Sequence, residues 1–173
     1  MDFSLPQAYL IGLLVILGSA AVLVARQILR VRRDEAALMR LESSTKSGQQ
    51  SAAELYELAS VQLRKRLYGQ AIDTLKLAVK LSAAEPPEAQ ALIENALGFA
   101  LAAQSNYTAA VKHYRAALRA KADYPVALNN LAYALEKQQK PEEAKENYLK
   151  VLELDSSNGT ARKRLKRLER TAA

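Results

Sequence analysis

Asn95 and Phe99 recur 34 residues later as Asn129 and Tyr133, with Asn130 directly following. A side-chain amide donates and accepts at once, so three amides beside two aromatic rings can bond a peptide backbone and pack its side chains. Tyr56 and Ser60, one helical turn apart, add to the set from an earlier stretch. This is binding chemistry, not bond-making chemistry. The chain has no Cys, no Trp and a single His, His113, which removes thiolate nucleophiles, disulfides and thiolate metal sites. Nothing in it resembles a phosphate loop, a nucleophile elbow or a metal-ligand pair. His113, with no second His nearby, reads as an exposed helix residue. No catalytic residue, metal, cofactor or small-molecule substrate is expected.

The same spacing organises the elements that carry these residues. Leu97 and Leu131 mark position 7, Ala110 and Ala144 position 20, and Tyr114 and Tyr148 position 24 of two adjoining 34-residue units, 91–124 and 125–158. Leu58, Ala71, Leu75 and Ala78 fit a third unit, 52–85, set five residues out of phase. A period of this length, with small residues where two helices cross, is the mark of a tetratricopeptide repeat (TPR) array. Ala71, Ala110 and Ala144 share position 20, and Ala59, Gly98 and Ala132 share position 8, a second close approach. Tyr68 and Tyr107, at position 17, are expected to wedge into the core. The pattern departs at position 32, where Ala83, Ala122 and Ser156 replace the usual Pro, and at position 4, where Glu94 stands in place of a large apolar side chain.

Each unit predicts two helices: about 52–65 with 70–81, 88–104 with 107–120, and 125–138 with 141–154, the first turn lying around Gly69. The surplus residues around Pro86 and Pro87 are expected to lengthen a loop and start the next helix early, because Pro is tolerated only in a first turn. The first helix of each repeat lines the concave groove, which gives Tyr56, Ser60, Asn95, Phe99, Asn129, Asn130 and Tyr133 as the protein-binding set. TPR proteins that hold chaperone tails clamp a terminal carboxylate with Lys and Arg in this groove. The corresponding positions hold Tyr56, Ser60, Ala96, Val126 and Asn130, so that clamp is absent.

Leu5 to Ala25 runs without a charge, and as a helix it would be about 31 Å long, the thickness of a bilayer's hydrocarbon core. Only Asp2 precedes it, so a transmembrane helix is preferred to a cleaved signal peptide, which needs basic residues before the apolar run. Arg26, Arg30, Arg32 and Arg33 follow at once, and the positive-inside rule keeps the C-terminal side in the compartment of synthesis. Residues 1–42 thus read as a transmembrane helix with a basic juxtamembrane stalk, 43–51 as a polar linker, 52–159 as three repeats and 160–173 as a basic capping helix.

The net charge of +7 belongs to the ends of the chain, since 43–159 holds 14 basic and 13 acidic residues. On the last helix Arg162, Lys163, Arg164, Lys166 and Arg167 are expected to face outward, while Ala161, Leu165 and Leu168 dock on the last repeat. These cations and the four stalk arginines suit membrane lipid or an acidic protein surface, and the last helix reads equally well as a solvated face that repels self-association. No aromatic residue is interleaved to stack on a base, and no nucleic-acid partner is expected.

In its order of parts the chain resembles the TPR proteins of cyanobacteria and plastids that help assemble photosystem I. The resemblance rests on LPQAYLIGLLVILGSAAVLVARQILRVRR and on ELYELASVQLRKRLYGQAI, which opens the first repeat. It implies a thylakoid protein with a lumenal N-terminus and repeats on the cytoplasmic or stromal side. Its partners would be photosystem I subunits or assembly intermediates. The alternative is a general membrane-anchored TPR scaffold or chaperone adaptor unrelated to photosynthesis. The fold expected is all-α: an N-terminal transmembrane helix, a three-repeat TPR solenoid and a C-terminal cap.

Overall fold

The computed structural model describes residues 5–46 and 51–172, with side-chain surroundings for 9–41 and 51–170. Among these residues there are eight α-helices, one short 3-10 turn and no strand. They divide into two compact units, Met1–Arg40 and Leu41–Ala173.

The first unit is helical. Helix α1, Leu5–Lys46, holds it and runs 42 residues. Residues 9–41 within it are long enough to cross a membrane and include an 18-residue stretch with a mean hydropathy of 2.1. No Gly or Pro follows Gly18 before Lys46, so nothing stops the helix at the arginines. It therefore takes in 43–46, which the sequence suggested as linker. The rest of that stretch, 47–50, lies outside the described residues, as do the tail 1–4 and Ala173.

The second unit is built from antiparallel pairs: α2 (Ala52–Arg64) with α3 (Tyr68–Leu81), α4 (Pro87–Ala103) with α5 (Tyr107–Ala120), and α6 (Pro125–Lys137) with α7 (Pro141–Leu154). Each pair stacks on the next, and α8 (Gly159–Ala172) packs against α7. Local signals start these helices. Ser51 and Glu54 form a reciprocal capping box at α2, Asn106 and Asn158 cap α5 and α8 by accepting the Ala109 and Ala161 N–H groups, and Pro87, Pro125 and Pro141 occupy first turns. Such side-chain caps satisfy donors that a helix leaves unbonded.

Within the repeats the first turn is not at Gly69, which is helical. It is at Arg66, and the equivalent residues of the other two repeats are Ser105 and Gln139. All three have φ near +60°, at 59°, 63° and 59°. The following amides, Leu67, Asn106 and Lys140, reach back to the carbonyls of Gln62, Leu101 and Leu135 at 2.8, 2.9 and 3.0 Å. This closes each first helix with the same left-handed reversal.

The extra residues between the first two repeats behave as the prolines suggested. Ser82–Ala84 form the 3-10 turn, and α4 begins early, at 17 residues against 13 for α2 and α6.

Alanine lets the helices close up. Ala71, Ala110, Ala144, Ala59 and Ala132 are all 0% exposed, while Leu75, Tyr114 and Tyr148 fill the space between. Gly98 lies against the Tyr114 ring so closely that a Cβ there would come within 2.7 Å of it. Tyr68 and Tyr107 are only half-buried, so position 17 lies at the margin of the core. At the end of the array Ala161 and Leu165 are buried and Leu168 packs beside them, the docking stripe expected for a cap.

Candidate functional site

The first helices α2, α4 and α6 form one face of the array, the concave side of a TPR superhelix. Its amides are already engaged with one another. Asn130 donates through Nδ2 to Asn95 Oδ1 at 3.1 Å, and Asn95 donates to the Tyr124 hydroxyl at 3.4 Å. Asn129 donates to Asn158 Oδ1 at 3.3 Å. Asn95 to Tyr124 and Asn129 to Asn158 are the same bond in successive repeats, position 5 to position 34. The three amides are therefore bonded within the array rather than waiting for a peptide, and the Asn130 to Asn95 bond joins the second and third repeats. Burial raises the Tyr124 pKa, with the nearby Tyr56 adding to the rise and the Asn95 bond opposing it, which keeps the phenol neutral.

The rings divide in a similar way. Tyr56 is half-buried against the core, and Ser60 turns its hydroxyl back to the Tyr56 carbonyl at 2.7 Å. Phe99 is open, 44% exposed, and so are Leu92 at 42% and Val126 at 53%, on the same helices. An apolar line of three side chains thus remains free along α4 and α6, two of them missed in the choice of binding residues. Leu92 and Val126 share position 2 of their repeats, a groove-lining position, so the repeat spacing placed them in the groove although the binding set left them out.

Tyr133 stands at the end of this face nearest α8. Tyr107 meets it edge-on at 6.4 Å, the Lys137 ammonium lies 5.5 Å from its ring centre, and the Arg164 guanidinium 4.8 Å. Beside it Glu136 accepts the Tyr148 hydroxyl at 2.6 Å, pairs with Arg164 at 3.5 Å and is bonded by Arg167. Burial, and then the bond to Glu136, push the Tyr148 pKa far above the usual phenol value, so it remains a donor.

This arrangement corrects the outward placement of α8's cations. Arg164 is half-buried and Arg164 and Arg167 both engage Glu136, because the docking stripe puts them on the side of the helix that faces α6. Lys163 and Lys166 are exposed, and Arg162 is exposed while donating to the Ser157 carbonyl at 2.9 Å. On α1, Arg26, Arg30, Arg32 and Arg33 are all exposed.

His113 is not a free surface residue. Its Nδ1 lies 2.7 Å from Glu94 Oε2, with the two side chains 30% and 18% exposed. His113 on α5 thus supplies the polar partner for Glu94, the departure from the repeat pattern on α4.

A tetratricopeptide repeat family model matches residues 125–158, the third repeat. Among solved structures, MamA superposes with a TM-score of 0.73 at 18% identity, over 80% of this chain and 78% of that one, a likeness of fold. The chloroplastic tetratricopeptide repeat domain-containing protein PYG7 of Arabidopsis thaliana is 31% identical over 94% of this chain. That match takes in 54% of PYG7, so this chain spans about half the length of that relative. The ycf37 protein of Guillardia theta is 30% identical, with 95% of this chain and 93% of that protein aligned. With near full-length identity of this order, and the repeat array it encodes, the chain belongs to the ycf37 family of tetratricopeptide repeat proteins.

Proposed function

We propose that the protein is a non-enzymatic, membrane-tethered scaffold for the assembly of photosystem I, which holds incoming subunits or assembly intermediates on its concave face. The observation that carries the binding half is the exposure of Leu92, Phe99 and Val126 on a face whose three asparagines already bond other side chains of the array. The photosynthetic half is supported by the alignment with a chloroplastic relative and by the resemblance carried by the apolar segment and its arginine exit.

In this reading α1 spans the thylakoid membrane. Arg26, Arg30, Arg32 and Arg33 hold its C-terminal side, and with it the repeats, on the cytoplasmic or stromal face. Tethering confines the groove to the surface where new membrane subunits emerge, so a weak contact works at a high effective concentration.

The test is the amplitude of photosystem I reaction-centre photo-oxidation per cell in a deletion strain, with photosystem II fluorescence as the control. A selective loss of the photosystem I signal is expected. An unchanged signal would reject the photosynthetic role and leave a general membrane-anchored scaffold.

A further inference from the structure

The corner around Tyr133 has a charge imbalance that the array itself does not need. Glu136 is the carboxylate shared there by Arg164 and Arg167, and its side chain is only 7% exposed. Arg164 and Arg167 keep 29% and 56% of their side chains in solvent, and Lys137 is exposed one turn beyond Tyr133. The negative charge is covered, while the arginines that cover it keep part of their side chains in solvent. Lys137 and Arg164 both approach the Tyr133 ring, 5.5 and 4.8 Å from its centre, so both cations flank that one ring. A guanidinium with one carboxylate contact still has N–H donors to offer, and a second carboxylate is the group that fits a paired ammonium and guanidinium. The corresponding ring of the preceding repeat is the open Phe99, with Leu92 on the same helix.

We infer that the partner's segment carries an Asp or Glu side chain beside an aliphatic or aromatic residue, the acid seated on Lys137 and Arg164 at Tyr133 and the apolar side chain on Phe99 and Leu92. This rests on the reading of the concave face as a peptide groove. It differs from capture of a chain terminus, because the residues at the positions of a terminal-carboxylate clamp are Tyr56, Ser60, Ala96, Val126 and Asn130. The acid subsite lies instead at Lys137 and on the capping helix. Without α8 the groove would lack half of it.

A random linear peptide library displayed on phage, panned against the full chain in detergent micelles, tests this with the variants Lys137→Gln and Phe99→Ser. Lys137→Gln removes one cation and leaves the Glu136 network intact. Selected peptides are expected to be enriched in Asp or Glu next to apolar residues, and a synthesised example should bind about fivefold more weakly to Lys137→Gln, the effect of losing one partly exposed charge contact. Peptides that lack acids, and that respond to Phe99→Ser but not to Lys137→Gln, would overturn the inference and leave the groove standing. Peptides indifferent to both variants, or no selection at all, would remove the groove as well.

Discussion

Glu94 on α4 and His113 on α5 meet inside the second repeat with Oε2 2.7 Å from Nδ1, where the repeat pattern calls for an apolar residue at position 4. The pair ties the two helices of one repeat together, and the polar Glu94 is tolerated because His113 meets it. A double-mutant cycle with Glu94→Ala and His113→Ala should give a coupling of about 0.5–1 kcal/mol in urea unfolding of the detergent-solubilised chain, the range for a partly exposed pair. A coupling near zero would mean that the two side chains are adjacent without stabilising each other.

Gly98 has no room for a methyl group. Tyr114, against which it lies, is 1% exposed and cannot swing away. Gly98→Ala is therefore expected to destabilise the array by about 1–3 kcal/mol despite its better helix propensity, as overpacking does in cores. An unfolding midpoint equal to or above that of the parent would show that the α4 and α5 backbones can part at little cost.

The turns at Ser105 and Gln139 place ordinary residues in the left-handed region, at φ of 63° and 59°. Glycine adopts that conformation freely, and both residues are exposed. Ser105→Gly and Gln139→Gly should each stabilise by about 0.5–1 kcal/mol, and the gains should add because the turns belong to different repeats. Either variant unfolding at lower urea than the parent contradicts this.

Asp155 organises the turn into α8. Its Oδ1 accepts the Ser157 hydroxyl at 2.7 Å and the Ser157 amide at 3.1 Å, and its Oδ2 accepts the Asn158 side chain at 3.1 Å. These bonds, the Ser157 side chain's first and the Asn158 side chain's next, hold its pKa below the ordinary 3.8. A depressed carboxyl stabilises the folded state above its unfolded pKa, and that contribution is lost as pH falls from there through the lower folded value. The Asp155 carboxyl resonance should titrate below 3.8, and the stability gap between the parent and Asp155→Asn should close as pH drops through that window. A gap that is constant with pH would separate the turn from Asp155 ionisation.

A chain without Cys makes its topology simple to read. With Ala122→Cys, which is exposed on the loop before α6, a membrane-impermeant maleimide should label intact thylakoids. With Ser4→Cys, labelling should need permeabilised membranes. The reverse pattern would invert the proposed orientation.

The period that joins Leu97 to Leu131 and Ala110 to Ala144 made the three helix pairs legible, because close packing of repeated helices constrains the same positions every time. The helix starts at Pro125 and Pro141, and the early start of α4, were legible for a similar reason: proline has one tolerated place in a helix. The candidate site was only half legible. Helical geometry puts Asn95, Asn129 and Asn130 on the groove, but an amide bonds whatever lies nearest, and the nearest partners here are other side chains of the array. The engagement of Arg164 and Arg167 depended on Glu136 as a buried acceptor, and its burial beside the capping helix is a tertiary feature that repeat spacing does not reveal. His113 misled because its partner, Glu94, looked like an isolated departure. A pair that lies 19 residues apart on two packed helices is found by asking which polar residue on the neighbouring helix could meet an exception to the pattern.

The chain of side-chain bonds from Asn130 through Asn95 to Tyr124, with Asn129 to Asn158 beside it, has a kinetic consequence. It fixes the angle between successive repeats before any client arrives, so the receptor behaves as a preshaped surface and most of the ordering on association falls to the client. Loss of client freedom lowers affinity without slowing docking on a preshaped face. The expected result is a complex that forms quickly and also dissociates quickly, as the proposed assembly role would require.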